Sequence, residues 1–288
     1  MIQQIGFVGL GTMGSVMAPL PARAGFSIIG FDTAPQRLDL MDVTNASSLS
    51  DMAACETIIT MLPDGAAVTN VTDELTKAGF CGLIIDMSSS HPDDTKRLGA
   101  TLAAQGIRLI DAPVSGGVKK AAAGTLTIMA GGAADDIAAA SKLIACFGAM
   151  QHVGPLGAGH AMKALNNYVS AAGLLASMQA LATAETFGIT AKKFTSVINE
   201  STGRNNTTEV KMMSFIASRR YDSGFFLRLM AKDVTIASEL ITNAGFEAPI
   251  TPALDDYLAA ALETLGHDTD HTGLYEMVNP MPKDWRNN

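Results

Sequence analysis

The chain has 288 residues, 28 acidic against 20 basic, and a formal net charge of −8 at pH 7. That balance excludes a protein built to grip a phosphate backbone, which needs a basic face, but not a small anionic substrate, because local charge in a site outweighs the total. With 48% hydrophobic and 17% charged residues, the chain is globular rather than disordered and long enough for two domains.

Residues 5–9, 27–31, 57–62, 83–87 and 107–111 are short runs of Ile, Leu, Val or Phe bounded by Gly, Pro or Asp, and are predicted as strands. Helical stretches at 13–24, 64–77 and 92–105 lie between them. Such alternation predicts a mainly parallel, doubly wound sheet, with further strands at 125–130 and 150–153. Pro19 and Pro21 fall inside the first helix. Proline removes an interior hydrogen bond, so a kink or early end is expected there. After Gly154 only helices are predicted, near 160–187, 191–199, 207–216, 231–243 and 252–265. Gly154, Pro155, Gly157 and Gly159 crowd together and mark the boundary between a cofactor-binding domain, 1–158, and an all-helical domain, 159–288. Residues 279–288, with two prolines and no periodicity, read as a tail.

No basic residue precedes Arg23, so the apolar start lacks the charged region of a secretory signal. Residues 164–184 carry no charge, but Asn166, Asn167, Ser170, Ser177, Gln179 and Thr183 interrupt them. Polar groups are costly in lipid, so this reads as a buried core helix and not a membrane span. Cys55, Cys81 and Cys146 have neither CxxC nor metal spacing. They read as free thiols of a cytoplasmic protein.

Gly9-Leu10-Gly11-Thr12-Met13-Gly14 follows an apolar strand and opens a helix, and Asp32 ends the second strand 23 residues after Gly9. This is the dinucleotide fingerprint. Gly9 permits the turn, Gly11 lets the backbone approach a pyrophosphate, and Gly14 lets helix and strand pack closely. A carboxylate at Asp32 accepts from ribose hydroxyls and repels a 2′-phosphate, so NAD is favoured over NADP. Arg37, five residues on, could meet a 2′-phosphate but reads as a solvated helix charge.

Asp111 ends a strand at the edge where doubly wound sheets bind ligands. Ser115-Gly116-Gly117 then offers a hydroxyl and open backbone N–H groups, which suit a carboxylate, although an ordinary turn reads the same way. Lys119 and Lys120 follow and read as solvated. Lys163 opens the uncharged helix, with Asn167 four residues on along the same face. A lysine exchanges an alcohol proton when burial and a nearby positive charge lower its pKa. Spacing alone does not separate this from a lysine that snorkels at the end of a core helix. His160 reads as structural. His267 and His271 read as surface-loop residues with no third ligand, so no metal is expected.

Together these segments resemble the β-hydroxyacid dehydrogenases, which include 3-hydroxyisobutyrate, tartronate semialdehyde and L-threonate dehydrogenases. The likeness runs through four motifs: residues 6–14; residues 111–117 with Ala121 and Gly124; residues 154–163 with Asn167; and Lys232-Asp233. The Pro19/Pro21 pair departs from the pattern. The resemblance implies an α/β fold, a Rossmann-type doubly wound sheet followed by an all-α domain like the C-terminal one of 6-phosphogluconate dehydrogenase. It implies NAD as cofactor and a small anionic hydroxyacid as substrate, with no nucleic-acid partner. Ser115, Gly116 and Gly117 would hold the substrate carboxylate, Lys163 would be the general acid/base and Asn167 would orient the substrate. Lys232 would lie near nicotinamide and substrate, with Asp233 pairing with it or bracing the helix. Thr95 would contact cofactor, Met61-Leu62-Pro63 would flank ribose and nicotinamide, and Val68 would lie near the adenine. Relatives are dimers or tetramers through the helical half. Two rivals are a non-catalytic cofactor-binding protein and an imine reductase of the same architecture, which usually carries Asp or Tyr in place of the lysine; Lys163 argues against both.

The most polar run of the helical half is residues 201–208. Asn206 or Thr207 there could simply cap the next helix. Arg204-Asn205-Asn206 also offers many donors, which suits a polyhydroxylated or second anionic group at the far end of the substrate. The run resembles the threonate-like branch of the family more than the hydroxyisobutyrate branch, so a C4 sugar acid is the expectation.

Overall fold

A computed structural model describes residues 4–280 apart from positions 39 and 41. The residues up to Lys163 form one compact unit and those from Ala164 onward a second.

In the first unit the elements are β1 (Gln4–Val8), α1 (Gly14–Met17), α2 (Leu20–Arg23), β2 (Ser27–Phe31), β3 (Thr44–Asn45), β4 (Thr57–Thr60), α3 (Gly65–Lys77), β5 (Leu83–Asp86), α4 (Pro92–Ala103), β6 (Arg108–Asp111), β7 (Val114–Ser115), α5 (Gly117–Ala122), β8 (Leu126–Gly131), α6 (Ala134–Ile144) and β9 (Gly148–Gly154). The sheet order is β3-β2-β1-β4-β5-β6-β8-β7, with β9 against β8. Pairing is parallel from β3 through β6 and again between β8 and β9; β8 is antiparallel to β6 and β7.

The apolar runs read as strands because both faces are buried, and alternate residues feed opposite layers. Phe7, Ile59, Ile85 and Ile110 pack under Met17 and the α6 residues Ile137, Ala140 and Leu143. Their neighbours Val8, Ile58, Ile84 and Leu109 pack with Leu75 of α3 and Leu102 of α4. The two prolines act as expected. The first helix stops at Met17, and a second short turn begins with Pro19 at its cap and Pro21 just inside.

In the second unit the chain is helical: α7 (Ala158–Thr186, which starts in the first unit), α8 (Ala191–Asn199), a π-helical stretch Thr207–Ile216, α9 (Leu227–Asn243), α10 (Thr251–Leu265), a 3-10 turn His271–Leu274 and α11 (Tyr275–Val278). Ala171, Leu174, Leu175, Met178 and Leu181 recur along α7 at helical spacing. They meet Met212, Ile216, Leu227, Met230, Val234, Leu254 and Leu258 in one core.

Four expectations need correction. Helix α9 begins at Leu227, because Leu227 and Met230 extend its buried stripe by a turn. The 207–216 stretch bonds with π spacing, ending with Ala217 N–H on Met212 O, and buries Thr208, Met212 and Ile216. The 279–288 tail is anchored at its start: Asn279 donates to Glu185 at 3.0 Å and its carbonyl accepts from Arg219 at 3.0 Å. Beyond Pro280 it lies outside the described residues. His271 is buried rather than in a surface loop, with Nδ1 3.0 Å from the Phe225 carbonyl and its ring edge-on to Phe225.

Candidate functional site

The parallel strands β1, β4, β5 and β6 end at one edge, which is where loops of a doubly wound sheet take ligands. Register places Val8, Thr60, Asp86 and Asp111 in a row there. The glycine loop leaves β1 at this edge. Gly9 has φ +95°, and a Cβ on it would lie 2.3 Å from the Met61 carbonyl. On Gly14 it would lie 1.9 Å from the Gly9 carbonyl, so only glycine closes this turn. Over Gly11 the nearest outside atom is Arg37 Nη1 at 3.8 Å, which leaves the loop backbone open to a bound group. Leu10, Thr12 and Met13 complete the loop, and Leu10 N–H donates to Asp32 Oδ2 at 2.8 Å. Asp32 Oδ1 accepts from Ala34 N–H at 2.8 Å. Arg37 Nη1 approaches Asp32 Oδ2 at 3.5 Å, with half its side chain exposed. This cradle, closed at Gly9 and Gly14 and open at Gly11, fits a dinucleotide pyrophosphate.

Met61-Leu62-Pro63 follows β4, and Leu62 N–H donates to Ser88 Oγ at 2.9 Å. Val68 is buried on α3. Thr95 is buried on α4, and its hydroxyl faces inward, 2.8 Å from His160 Nδ1. Ser115 ends β7, paired with Thr127. Gly116 and Gly117 follow with φ of 140° and 70°, open α5, and turn the chain where a side chain would be strained. Nothing lies within 4 Å of a Cβ built on Gly117.

Asp111 governs the entry to α7. It accepts from Gly157 N–H and from His160 N–H, both at 2.7 Å, and so caps the long helix. Burial pushes its carboxyl above the ordinary carboxylate range, against the pull of His160 and of those two backbone donors. Lys163 sits in the second turn of α7 rather than opening it, half-buried.

In the helical unit, Asn167 of α7 donates its amide to Asp233 Oδ2 of α9, both residues being buried. Asn166 donates to Asn167 Oδ1 at 3.1 Å, and Lys232 Nζ lies 3.5 Å from Asp233 Oδ1. The expected Asn167 and Lys232 therefore meet through one carboxylate. The Arg204–Asn205 pair is not brought to them. Asn205 donates to Ser177 Oγ at 3.0 Å, and Ser177 is ten residues beyond Asn167, about 15 Å along the helix. Asn205 Oδ1 accepts from Thr207 N–H at 2.8 Å and Thr208 N–H at 3.3 Å, so the cap is Asn205 itself rather than Asn206 or Thr207. Arg204 is exposed, 3.5 Å from Glu209, and lines a surface depression with Asn199, Glu200, Ser201 and Thr202.

Sequence reasoning passed over Asp86. It accepts from Thr60 Oγ1 at 2.9 Å and Ser88 N–H at 3.0 Å. Its only signal was an acidic residue closing an otherwise apolar strand, as Asp111 does.

A dinucleotide cradle at the strand ends followed by a capped helix carrying lysine and asparagine defines a nicotinamide-dependent dehydrogenase. Residues 4–157 match the family model described as the NAD binding domain of 6-phosphogluconate dehydrogenase. Residues 157–278 match that described as NAD-binding of NADP-dependent 3-hydroxyisobutyrate dehydrogenase. The chain is 35% identical over 261 residues to the mitochondrial 3-hydroxyisobutyrate dehydrogenase of Drosophila melanogaster, covering 86% of this chain and 81% of that one. It is 33% identical to the NAD-dependent L-serine dehydrogenase of Pseudomonas aeruginosa, covering 86% and 89%. A solved Mycobacterium tuberculosis 3-hydroxyisobutyrate dehydrogenase with L-serine superposes with a TM-score of 0.89 at 30% identity, over 97% of this chain and 100% of that one. An imine reductase from Myxococcus stipitatus in complex with NAD+ shares the fold alone, at 17% identity and a TM-score of 0.67. The chain belongs to the β-hydroxyacid dehydrogenase family. It is an oxidoreductase of that family, with a nicotinamide dinucleotide cofactor.

Proposed function

We propose that the chain oxidises the hydroxyl of a short β-hydroxycarboxylate, of the hydroxyisobutyrate or serine size, with Lys163 as general acid/base and NAD preferred over NADP. The observation that carries this is the buried Asn167–Asp233 bond, which holds Asn167 one helical turn beyond Lys163. Bound NAD supplies the hydride acceptor. The residues of the chain do the rest. Ser115, Gly116 and Gly117 take the substrate carboxylate. Asn167 keeps a polar amide on the substrate hydroxyl, and Lys232 adds a positive charge nearby. Lys163 takes the hydroxyl proton as the carbon gives up its hydride, and returns a proton in the reverse direction. Gly9, Leu10, Gly11, Thr12, Met13, Gly14 and Asp32 hold the dinucleotide, and Met61, Leu62, Pro63 and Val68 shape its remaining surface, with Thr95 buried behind it and its hydroxyl turned to His160.

Asn205 bonds to Ser177, about 15 Å along α7 from Asn167, and that separation supports a short substrate over a C4 sugar acid. Kinetics with 3-hydroxyisobutyrate, L-serine, L-threonate and D-erythronate test this. A sugar acid as best substrate, with Arg204→Ala raising its KM, overturns the short-substrate reading.

Phe187, Phe246, Val169 and Ile250 of the helical unit are exposed, the first two at 79% and 73%. Apolar exposure of this kind supports a homodimer or tetramer through that unit, which light scattering checks. No helix among the described residues is long and apolar enough to cross a membrane. With the free Cys55, Cys81 and Cys146, this supports a cytoplasmic location.

A further inference from the structure

Three residues before Lys163, His160 is sealed inside the first unit. Its side chain has no exposure and lies between two buried carboxylates, with Nε2 3.7 Å from Asp86 and Nδ1 3.8 Å from Asp111. Both carboxylates are also held from elsewhere, Asp86 by Thr60, Ser88 and Ser90 and Asp111 by backbone N–H groups of the α7 entry. The ring reaches the Ser88 carbonyl at 3.2 Å through Nε2 and the Thr95 hydroxyl at 2.8 Å through Nδ1. A carbonyl only accepts, so Nε2 carries the hydrogen that meets Ser88, and Nδ1 is left to Thr95.

These contacts act on the rotation of a helix. Apolar packing is non-directional and fixes a helix axis better than the angle about it. Hydrogen bonds to a planar ring are directional. Here one face of the first turn of α7 is clamped through its backbone by Asp111, and the ring of the same turn is held at both nitrogens by α4 and the loop after β5. Gly159 removes the remaining slack: a Cβ on it would lie 2.3 Å from the Met129 carbonyl, so the turn is pressed directly against β8. Lys163 leaves the helix less than one turn later. A displacement of about 1 Å in a reacting group is enough to cost on the order of a hundredfold in rate.

We propose that His160 is a positioning residue for Lys163: through Ser88 and Thr95 it sets the rotation of the first turn of α7, and with it the direction in which the lysine amine is presented. This rests on Lys163 as the proton-exchanging residue. It gives the buried histidine a task in turnover rather than in stability alone, and gives Thr95 an indirect one.

The test compares His160→Leu, His160→Gln and Lys163→Ala in the full chain with dinucleotide and the best substrate. His160→Leu keeps bulk but removes both ring bonds. It is expected to lower kcat about tenfold or more, with dinucleotide affinity within about threefold of the parent. His160→Gln restores an N–H for Ser88 and an acceptor for Thr95, and is expected to recover most of kcat. A folded His160→Leu with kcat within about twofold of the parent overturns the proposal, as does a folded His160→Gln no better than His160→Leu. If His160→Leu does not fold, Thr95→Val carries the test by removing only the partner of Nδ1. A kcat at least about threefold lower at unchanged dinucleotide affinity supports the proposal; unchanged kcat, or an equal loss of dinucleotide affinity, overturns it. Lys163→Ala keeps the two readings apart. If it stays active, the lysine assignment falls; if it is inactive while His160→Leu is unaffected, only the positioning of Lys163 by His160 falls.

Discussion

Asn167 on α7 and Asp233 on α9 are 66 residues apart in sequence, yet the amide of one donates directly to the buried carboxylate of the other. Removing the acceptor leaves a buried amide unmatched and frees its rotamer. Asp233→Ala is therefore expected to raise substrate KM and lower kcat/KM about tenfold or more, with dinucleotide affinity little changed. Steady-state kinetics check this. A stable Asp233→Ala enzyme with parental kcat/KM refutes the bracing role.

Lys163→Ala is expected to lower kcat on the order of 10² or more at saturating substrate, while dinucleotide still binds. Lys163 lies on α7, well separated in sequence from the glycine loop and Asp32, so a binding titration and a turnover assay separate the two effects. Turnover within about threefold of the parent would sink the assignment.

Asp32 is expected to set NAD preference. Its two oxygens accept from Leu10 N–H and Ala34 N–H, which orders a carboxylate that accepts from ribose hydroxyls and repels a 2′-phosphate. Measuring kcat/KM with both cofactors decides the matter, and Asp32→Ser is expected to narrow the ratio. A parent enzyme that prefers NADP would assign the decision to Arg37, 3.5 Å away.

How much was legible beforehand depended on whether a signal was local. The glycine loop and the proline break are written in consecutive residues, and the structure places them as expected; the strands predicted at 57–62 and 83–87 end earlier, at Thr60 and Asp86. Helix α6 lies outside the predicted elements, although Ile137, Ala140, Leu143 and Ile144 follow helical spacing. Asp233 could be named as a brace but not connected to Asn167, since that contact depends on how α7 and α9 pack. Asn205 is the opposite case: its Oδ1 accepts from backbone N–H groups of its own segment, a local contact that polarity alone does not distinguish from a binding role.

Asp270 predicts an acid limb of stability. Burial alone would raise its carboxyl, but hydrogen bonds from His271 and from the hydroxyl and backbone of Thr272 outweigh burial and hold it well below the usual carboxylate range. A carboxyl depressed in the folded state contributes fully above its unfolded value of about 3.9, and the contribution is lost as pH falls further. Asp270→Asn is expected to cost about 2 kcal/mol at pH 7 and less at pH 3. Denaturant melts at the two pH values check this; an equal loss at both contradicts it.

Thiol reactivity follows burial. Burial pushes the Cys55 thiol up to about 11, whereas Cys81 is exposed. At pH 8 a thiol reagent is expected to label Cys81 promptly and Cys55 only on unfolding. Mass mapping after brief labelling checks the order.

The proline break behind the glycine loop makes anion capture a short-range affair. With α1 only four residues long, hardly any aligned peptide dipoles stand behind the pyrophosphate cradle. The field of a helix is in any case felt mainly from its first turn, so little attraction is forfeited. What a longer helix would have contributed is stiffness. Here the cradle takes its rigidity from the sheet instead, through the Gly14 approach to Gly9 and the Leu10 tie to Asp32. The segment after Met17 is thereby released from duty toward the cofactor, and sequence change there can accumulate without disturbing dinucleotide capture.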